Sequence, residues 1–120
     1  MIGKELLERL ENCKYNEEEI VFIAQDKEDN VIWLERGNEN AGLVHIILNH
    51  KSDFENAYGI NENEIALYLY KVVSEGNIVC STPSIVKGGI DIIYEYDSKY
   101  YTFIGKGSNG FIVTAFPTHK

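Results

Sequence analysis

Cysteine is scarce in this chain. Cys13 and Cys80 are the only two, and they stand far apart. This excludes a disulfide framework and the close spacing of a zinc or redox motif, and it leaves two core thiols suited to a reducing cytosol. Long apolar runs are missing as well. No stretch approaches the roughly 18 to 20 uninterrupted apolar residues of a membrane helix. The opening MIGKELLERLENCKYNEEE is charged and amphipathic rather than a signal peptide, so a soluble chain with no membrane partner is expected. Repeats, low-complexity tracts and linkers are also absent. A length of 120 residues, 44% of them hydrophobic, suits one domain over 1–120.

Basic residues are few: 11 Lys and Arg face 19 Asp and Glu, for a net charge of −8. Phosphate binding draws on clustered lysine and arginine, so this balance argues against nucleic acid at first sight. The distribution weakens the objection. Residues 1–75 hold 16 acidic against 7 basic side chains, whereas 76–120 hold 3 against 4. The acidity belongs to the helical half, where the Glu17, Glu18, Glu19 run reads as a solvated face.

Apolar spacing then assigns the elements. Leu6, Leu7, Leu10 and Cys13 predict a helix over 3–14. Two short strands over 19–24 and 31–35, rich in Val, Ile, Phe and Trp, flank the polar loop QDKEDN and predict a hairpin. Leu43, Ile46, Ile47, His50 and Phe54 fall on one side of a second helix, with His45 pointing away from that stripe. A third helix starts at Asn61, where Glu64 completes a capping box, and ends at Gly76. Beyond it, 77–81, 89–96, 99–106 and 111–116 are strand-like, with turn signals at Asp97-Ser98 and Asn109-Gly110. Helices first and strands after predict an α+β domain, its helices packed on one face of a twisted antiparallel sheet of about four strands.

Two of the three histidines, His45 and His50, share one short segment. Imidazole titrates near neutrality, so such a pair can take a proton from one group and give it to another. Five residues of helix turn the chain by a net angle of about 140°, so both rings are not expected to ligate one metal, and no metal or other cofactor is expected. On the same ground the two rings are expected to be held apart. His45, opposite the apolar stripe, is placed as a cleft wall would place it. His50 lies on the stripe and reads first as a core or helix-end histidine that holds the helix to the sheet, and only second as a catalytic group. At the chain end, Lys106, Gly107, Ser108, Asn109 and Gly110 form a small-residue turn before the strand with Thr114. Its amides, with Lys106 and Thr114, could hold phosphate oxygens, although an ordinary hairpin turn has the same pattern.

The wording of these regions goes further: VIWLERGNENAGLVHIILNHKSDF, then the helix start GINENEI, then GFIVTAFPTHK. It resembles the phage and polymorphic-toxin ribonucleases of the barnase–EndoU–colicin–RelE superfamily. There a Trp-Leu-Glu strand, a Gly-Leu-x-His-Ile helix ending in a second His, and a final strand ending Thr-Ala-(Tyr or Phe)-Pro recur in that order. The likeness covers about 31–118 as a nuclease core, with the first helix and the hairpin over 1–35. It implies a metal-independent RNA endonuclease, often a tRNA-directed toxin, in which the ribose 2′-hydroxyl attacks the adjacent phosphate to leave a cyclic phosphate. It also implies action in the cytoplasm, delivery by a secreted toxin or a phage origin, and a cognate immunity or antitoxin protein as partner. Matched position by position, His45 is the helix histidine, His50 the second histidine and Thr114 the strand threonine. Lys106 joins the catalytic set, and Lys87, Ser108 and Asn109 the RNA-binding set, by inference.

The chain departs from that pattern in its acidity and in a sheet whose only cations are Lys87, Lys99 and Lys106. A small structured RNA gripped at a few points, or a helper protein, would reconcile the two. Tyr94, Tyr96, Tyr100 and Tyr101 could stack bases or pack the sheet. The competing expectation is an acidic, non-catalytic binding protein of the immunity or antitoxin kind, or an inactive member of the nuclease fold.

Overall fold

A computed structural model describes residues 19–84, 89–98, 100–107 and 110–118. The helix expected over 3–14, with Cys13, lies outside the described residues. So do Lys87, Lys99, Ser108 and Asn109.

Strands β1 (Ile20–Gln25) and β2 (Val31–Glu35) pair antiparallel as their own two-stranded sheet. Asp26 closes the loop between them. Its carboxylate accepts from the backbone N–H of Glu28 and of Asn30, both at 2.9 Å, and from the Asn30 amide at 3.0 Å. Both faces of the hairpin are covered, which is why its strands read as apolar runs rather than as alternation. Phe22, Ala24, Ile32 and Leu34 enter the main core, while Ile23 and Trp33 form a second cluster with Phe111.

Helix α1 (Leu43–Tyr58) follows the expected stripe, with Ile46 and Phe54 buried, and it ends at Gly59 in a left-handed cap. The Asn61 and Glu64 capping box is present. The turn it opens is a 3-10 helix (Glu62–Glu64), and α2 (Ile65–Glu75) follows with Ile65, Tyr68, Leu69, Val72 and Val73 buried. Strands β3 (Asn77–Pro83), β4 (Ile90–Tyr96), β5 (Tyr100–Lys106) and β6 (Ile112–Pro117) form an antiparallel meander in the order 3-4-5-6. The α+β architecture is therefore as the sequence implies. Cys80 is not a core thiol: it lies exposed on β3, an edge strand that is mostly exposed.

One face of the meander carries Ile92, Tyr94, Thr102, Ile104, Ile112 and Ala115 into the core. Three phenols hold this face together. Tyr94 donates to Asp26 at 3.0 Å, Tyr68 meets the Thr102 hydroxyl at 3.0 Å, and Tyr58 donates to the Tyr101 carbonyl. Burial raises all three hydroxyls above the ordinary tyrosine range, and the Asp26 charge adds to the effect at Tyr94. Because the fold favours the neutral phenols, their contribution to stability is complete below the unfolded value of about 10 and is lost as pH rises beyond it. In an alkaline titration followed by phenolate absorbance, these three are expected to ionise only in a cooperative step that coincides with loss of far-ultraviolet dichroism. Their smooth ionisation in a folded chain would contradict the packing described.

Candidate active site

The second face of the meander is the open one, and a backbone irregularity in β6 prepares it. Thr114 pairs with Gly105 and Ile112 with Lys106, so Val113 is an extra residue in β6. Such a bulge re-aims its neighbours. Ile112 and Ala115, three apart, both reach the core, and Thr114 and Phe116 turn to the open face.

The Val113 carbonyl also accepts from the Gly42 backbone N–H at 3.0 Å, which fastens the start of α1 to β6. Gly42 has φ +93, and a Cβ there would meet the Glu35 carbonyl oxygen at 2.8 Å, so this joint requires glycine. The consequence is that His45, in the first turn of α1, stands beside Thr114. Its Nε2 lies 3.2 Å from the Thr114 hydroxyl, and its Nδ1 lies 2.9 Å from the Glu39 carbonyl oxygen. A carbonyl can only accept, so the network assigns the proton to Nδ1 and leaves Nε2 as the lone pair facing Thr114. Asn49, 3.1 Å from the same Nδ1, donates its amide to the His45 carbonyl at 2.9 Å.

His50 is held in the same manner. Its Nδ1 lies 2.9 Å from the Asp53 carboxylate, and its ring lies against Phe116 at 5.0 Å. The imidazole centroids of His45 and His50 are 6.1 Å apart. The expectation that helical rotation holds these rings apart is corrected here. The angle of about 140° separates Cα positions. The side chains close the gap because both meet β6, His45 at Thr114 and His50 at Phe116, two residues apart and hence on one face.

Of the expected site residues, the structure brings together His45, His50 and Thr114. Lys106 is elsewhere. It is next to Gly105 on β5 and therefore on the opposite face, 9% exposed, where burial lowers its ammonium pKa against the opposing pull of Asp26. The Gly107 and Gly110 amides are also committed, to the carbonyls of Phe111 and Gly107. The tyrosines divide: Tyr94 is buried, Tyr96 and Tyr100 pack on the core, and Tyr101 lies on the open face with its hydroxyl 3.2 Å from Glu95. Trp33 is wholly buried, donates to Glu35 at 2.9 Å, and packs at an angle on Phe111, so it docks the hairpin against β6.

Sequence reasoning missed Asp53, Glu39, Asn49 and Phe116. An acidic residue three after His50 on a helix was the one available signal. From Asp53 a cleft of about 690 Å³ continues past Asn56 and Tyr58 to Tyr101, Pro117 and Thr118. That volume is in the range of small-ligand sites. Among the described residues no group of three or more His, Cys, Asp or Glu side chains is arranged to hold a metal ion. No helix of the described residues is long and apolar enough to cross a membrane. No protein-family model matches the chain, and no curated protein matches it significantly.

Proposed function

We propose that this protein is a metal-independent RNA endonuclease that cleaves by attack of the ribose 2′-hydroxyl on the adjacent phosphate. The observation that carries the reading is the pair of imidazoles 6.1 Å apart, each oriented through Nδ1, with the Thr114 hydroxyl at His45 Nε2. His45 Nε2 takes the 2′-hydroxyl proton as the O2′–P bond forms. His50, in its protonated form, gives the Nε2 proton to the departing 5′-oxygen as the P–O5′ bond breaks. A 2′,3′-cyclic phosphate and a 5′-hydroxyl result, and Thr114 can donate to the crowded phosphorane. Two imidazoles supply both proton transfers, so the chemistry calls for no metal.

Tight binding of long or duplex RNA has little support. Of the five described cations, Lys27 donates to Asn77, Arg36 pairs with Glu19 and Lys106 is buried, which leaves Lys51 and Lys71 as the exposed lysines that could meet phosphate. A small structured RNA such as tRNA fits better, in keeping with a cytoplasmic toxin of phage or secreted origin. Purified protein incubated with total tRNA in EDTA is expected to yield fragments ending in cyclic phosphate. Intact RNA across all classes tested would refute the reading.

A second reading, an acidic binding protein of the immunity or antitoxin kind or an inactive nuclease fold, is favoured by the net charge of −8. It predicts a stable complex with a basic protein. It also predicts no growth arrest on expression, whereas the nuclease should arrest growth unless its inhibitor is present.

A further inference from the structure

The geometry points to a nucleobase-stacking subsite formed by Phe103 and Phe116 on the open face of the sheet. The substrate would then be RNA that is unpaired at the cleavage point. This deepens the ribonuclease reading and rests on it.

Phe103 and Phe116 are direct cross-strand partners on β5 and β6. Their rings stack at 4.6 Å with only 16° between planes, and Phe116 meets the His50 imidazole at 5.0 Å and 35°. Neither phenylalanine belongs to either apolar cluster of the core, and both remain partly exposed. Among the described residues, neither core cluster accounts for them. A row of rings from His45 through His50 and Phe116 to Phe103 leads away from the proposed proton-transfer groups.

Register sets the reach. Phe116 is opposite Phe103, so Thr114 is the diagonal neighbour of Phe103, at a typical separation of about 7 to 8 Å. That separation suits a base on Phe103 and its phosphate at Thr114 and His45, with the sugar between. Gly105 occupies the intervening position. A Cβ there would come within 3.3 Å of Thr114 Cγ2 and 3.4 Å of both Asp91 Oδ1 and Phe103 Cε1, so glycine is what lets these three side chains draw together over the strand.

A nucleobase fits this surface better than an apolar peptide. Its flat faces match the rings, while the polar side chains Asn56, Asp53 and Thr118 line the cleft that begins beside Phe116, at its chain neighbour Pro117. In a duplex both faces of each base are covered by neighbours, so only an unstacked nucleotide can use the platform. Stacking is sequence-tolerant and is worth about 1 to 3 kcal/mol per base, or roughly 5- to 150-fold in affinity.

Two measurements test this. Phe103→Leu and Phe116→Leu keep apolar volume and are expected to lower kcat/KM on a single-stranded oligoribonucleotide by about tenfold or more. The thermal midpoint should hold, and the same oligonucleotide as a duplex should resist the unaltered protein. Separately, Phe103→Trp is titrated with a deoxyribo-oligonucleotide that cannot be cleaved. Its fluorescence should be quenched, and the response belongs to the new indole because Trp33 is fully buried. Unchanged kinetics in both leucine variants with no quenching overturns the subsite and leaves the nuclease reading in place. Quenching without cleavage of any RNA by the unaltered protein sustains the platform and overturns the nuclease reading.

Discussion

His45→Ala is expected to lower the rate of RNA cleavage by about 10²- to 10⁴-fold, the usual contribution of a positioned acid or base. The expectation rests on the His45 ring being fixed at both ends, by the Glu39 carbonyl at 2.9 Å and the Thr114 hydroxyl at 3.2 Å. Removing it deletes the ring nitrogen that faces Thr114 and leaves the strand beneath it in place. The backbone that carries it is held independently, through the Gly42 N–H on Val113 and the buried Ile46. Urea unfolding of the variant should therefore differ little from that of the unaltered chain, and its loss of activity should be in kcat more than in KM. Thr114→Val, which keeps the shape and removes the hydroxyl, should cost less. Cleavage by the His45→Ala variant at the unaltered rate would show that another group performs the chemistry.

Asp26→Ala is expected to have the largest effect on stability, a loss of about 3 to 5 kcal/mol in urea unfolding, typical of breaking a buried charged network. Asp26 is 4% exposed and accepts four hydrogen bonds: two backbone N–H groups, the Asn30 amide and the Tyr94 hydroxyl. Alanine would leave those donors without a partner and would remove the charge opposing the desolvation of Lys106. It would also cut the link between the β1–β2 loop and β4. Since a domain of this size has only about 5 to 15 kcal/mol in total, the variant should be on the edge of unfolding at 37 °C. Tyr94→Phe removes one donor and keeps the ring, so it should cost no more than about 1 to 2 kcal/mol. A loss for Asp26→Ala no larger than that for Tyr94→Phe would show that the carboxylate is not the organising group.

These two residues differ in how legible they were. His45 was visible as an imidazole opposite an apolar stripe, and the spacing of Leu43, Ile46, Ile47 and Phe54 that defined the stripe is a local, periodic property. Asp26 looked like one more acid in a polar loop. Its buried partner is Tyr94, a residue 68 positions away. Phe103 and Phe116 read as ordinary strand residues for the same reason, because which face of a strand is covered depends on what packs there.

For Trp33 and His50, the two ends of the most distinctive segment, sequence and fold contribute differently. Order and type of the elements from β1 to β6, the hairpin, the capping box at Asn61 and the candidacy of His45 follow from the sequence alone, since each depends on neighbours within about a turn or a strand. Only the tertiary structure decided that Trp33 is a docking residue, that His50 is brought beside His45, and that Lys106 faces away from them. The bulge at Val113 and the Gly42 hydrogen bond set the placement of α1 on β6. Contacts so distant in sequence leave no periodic trace in it.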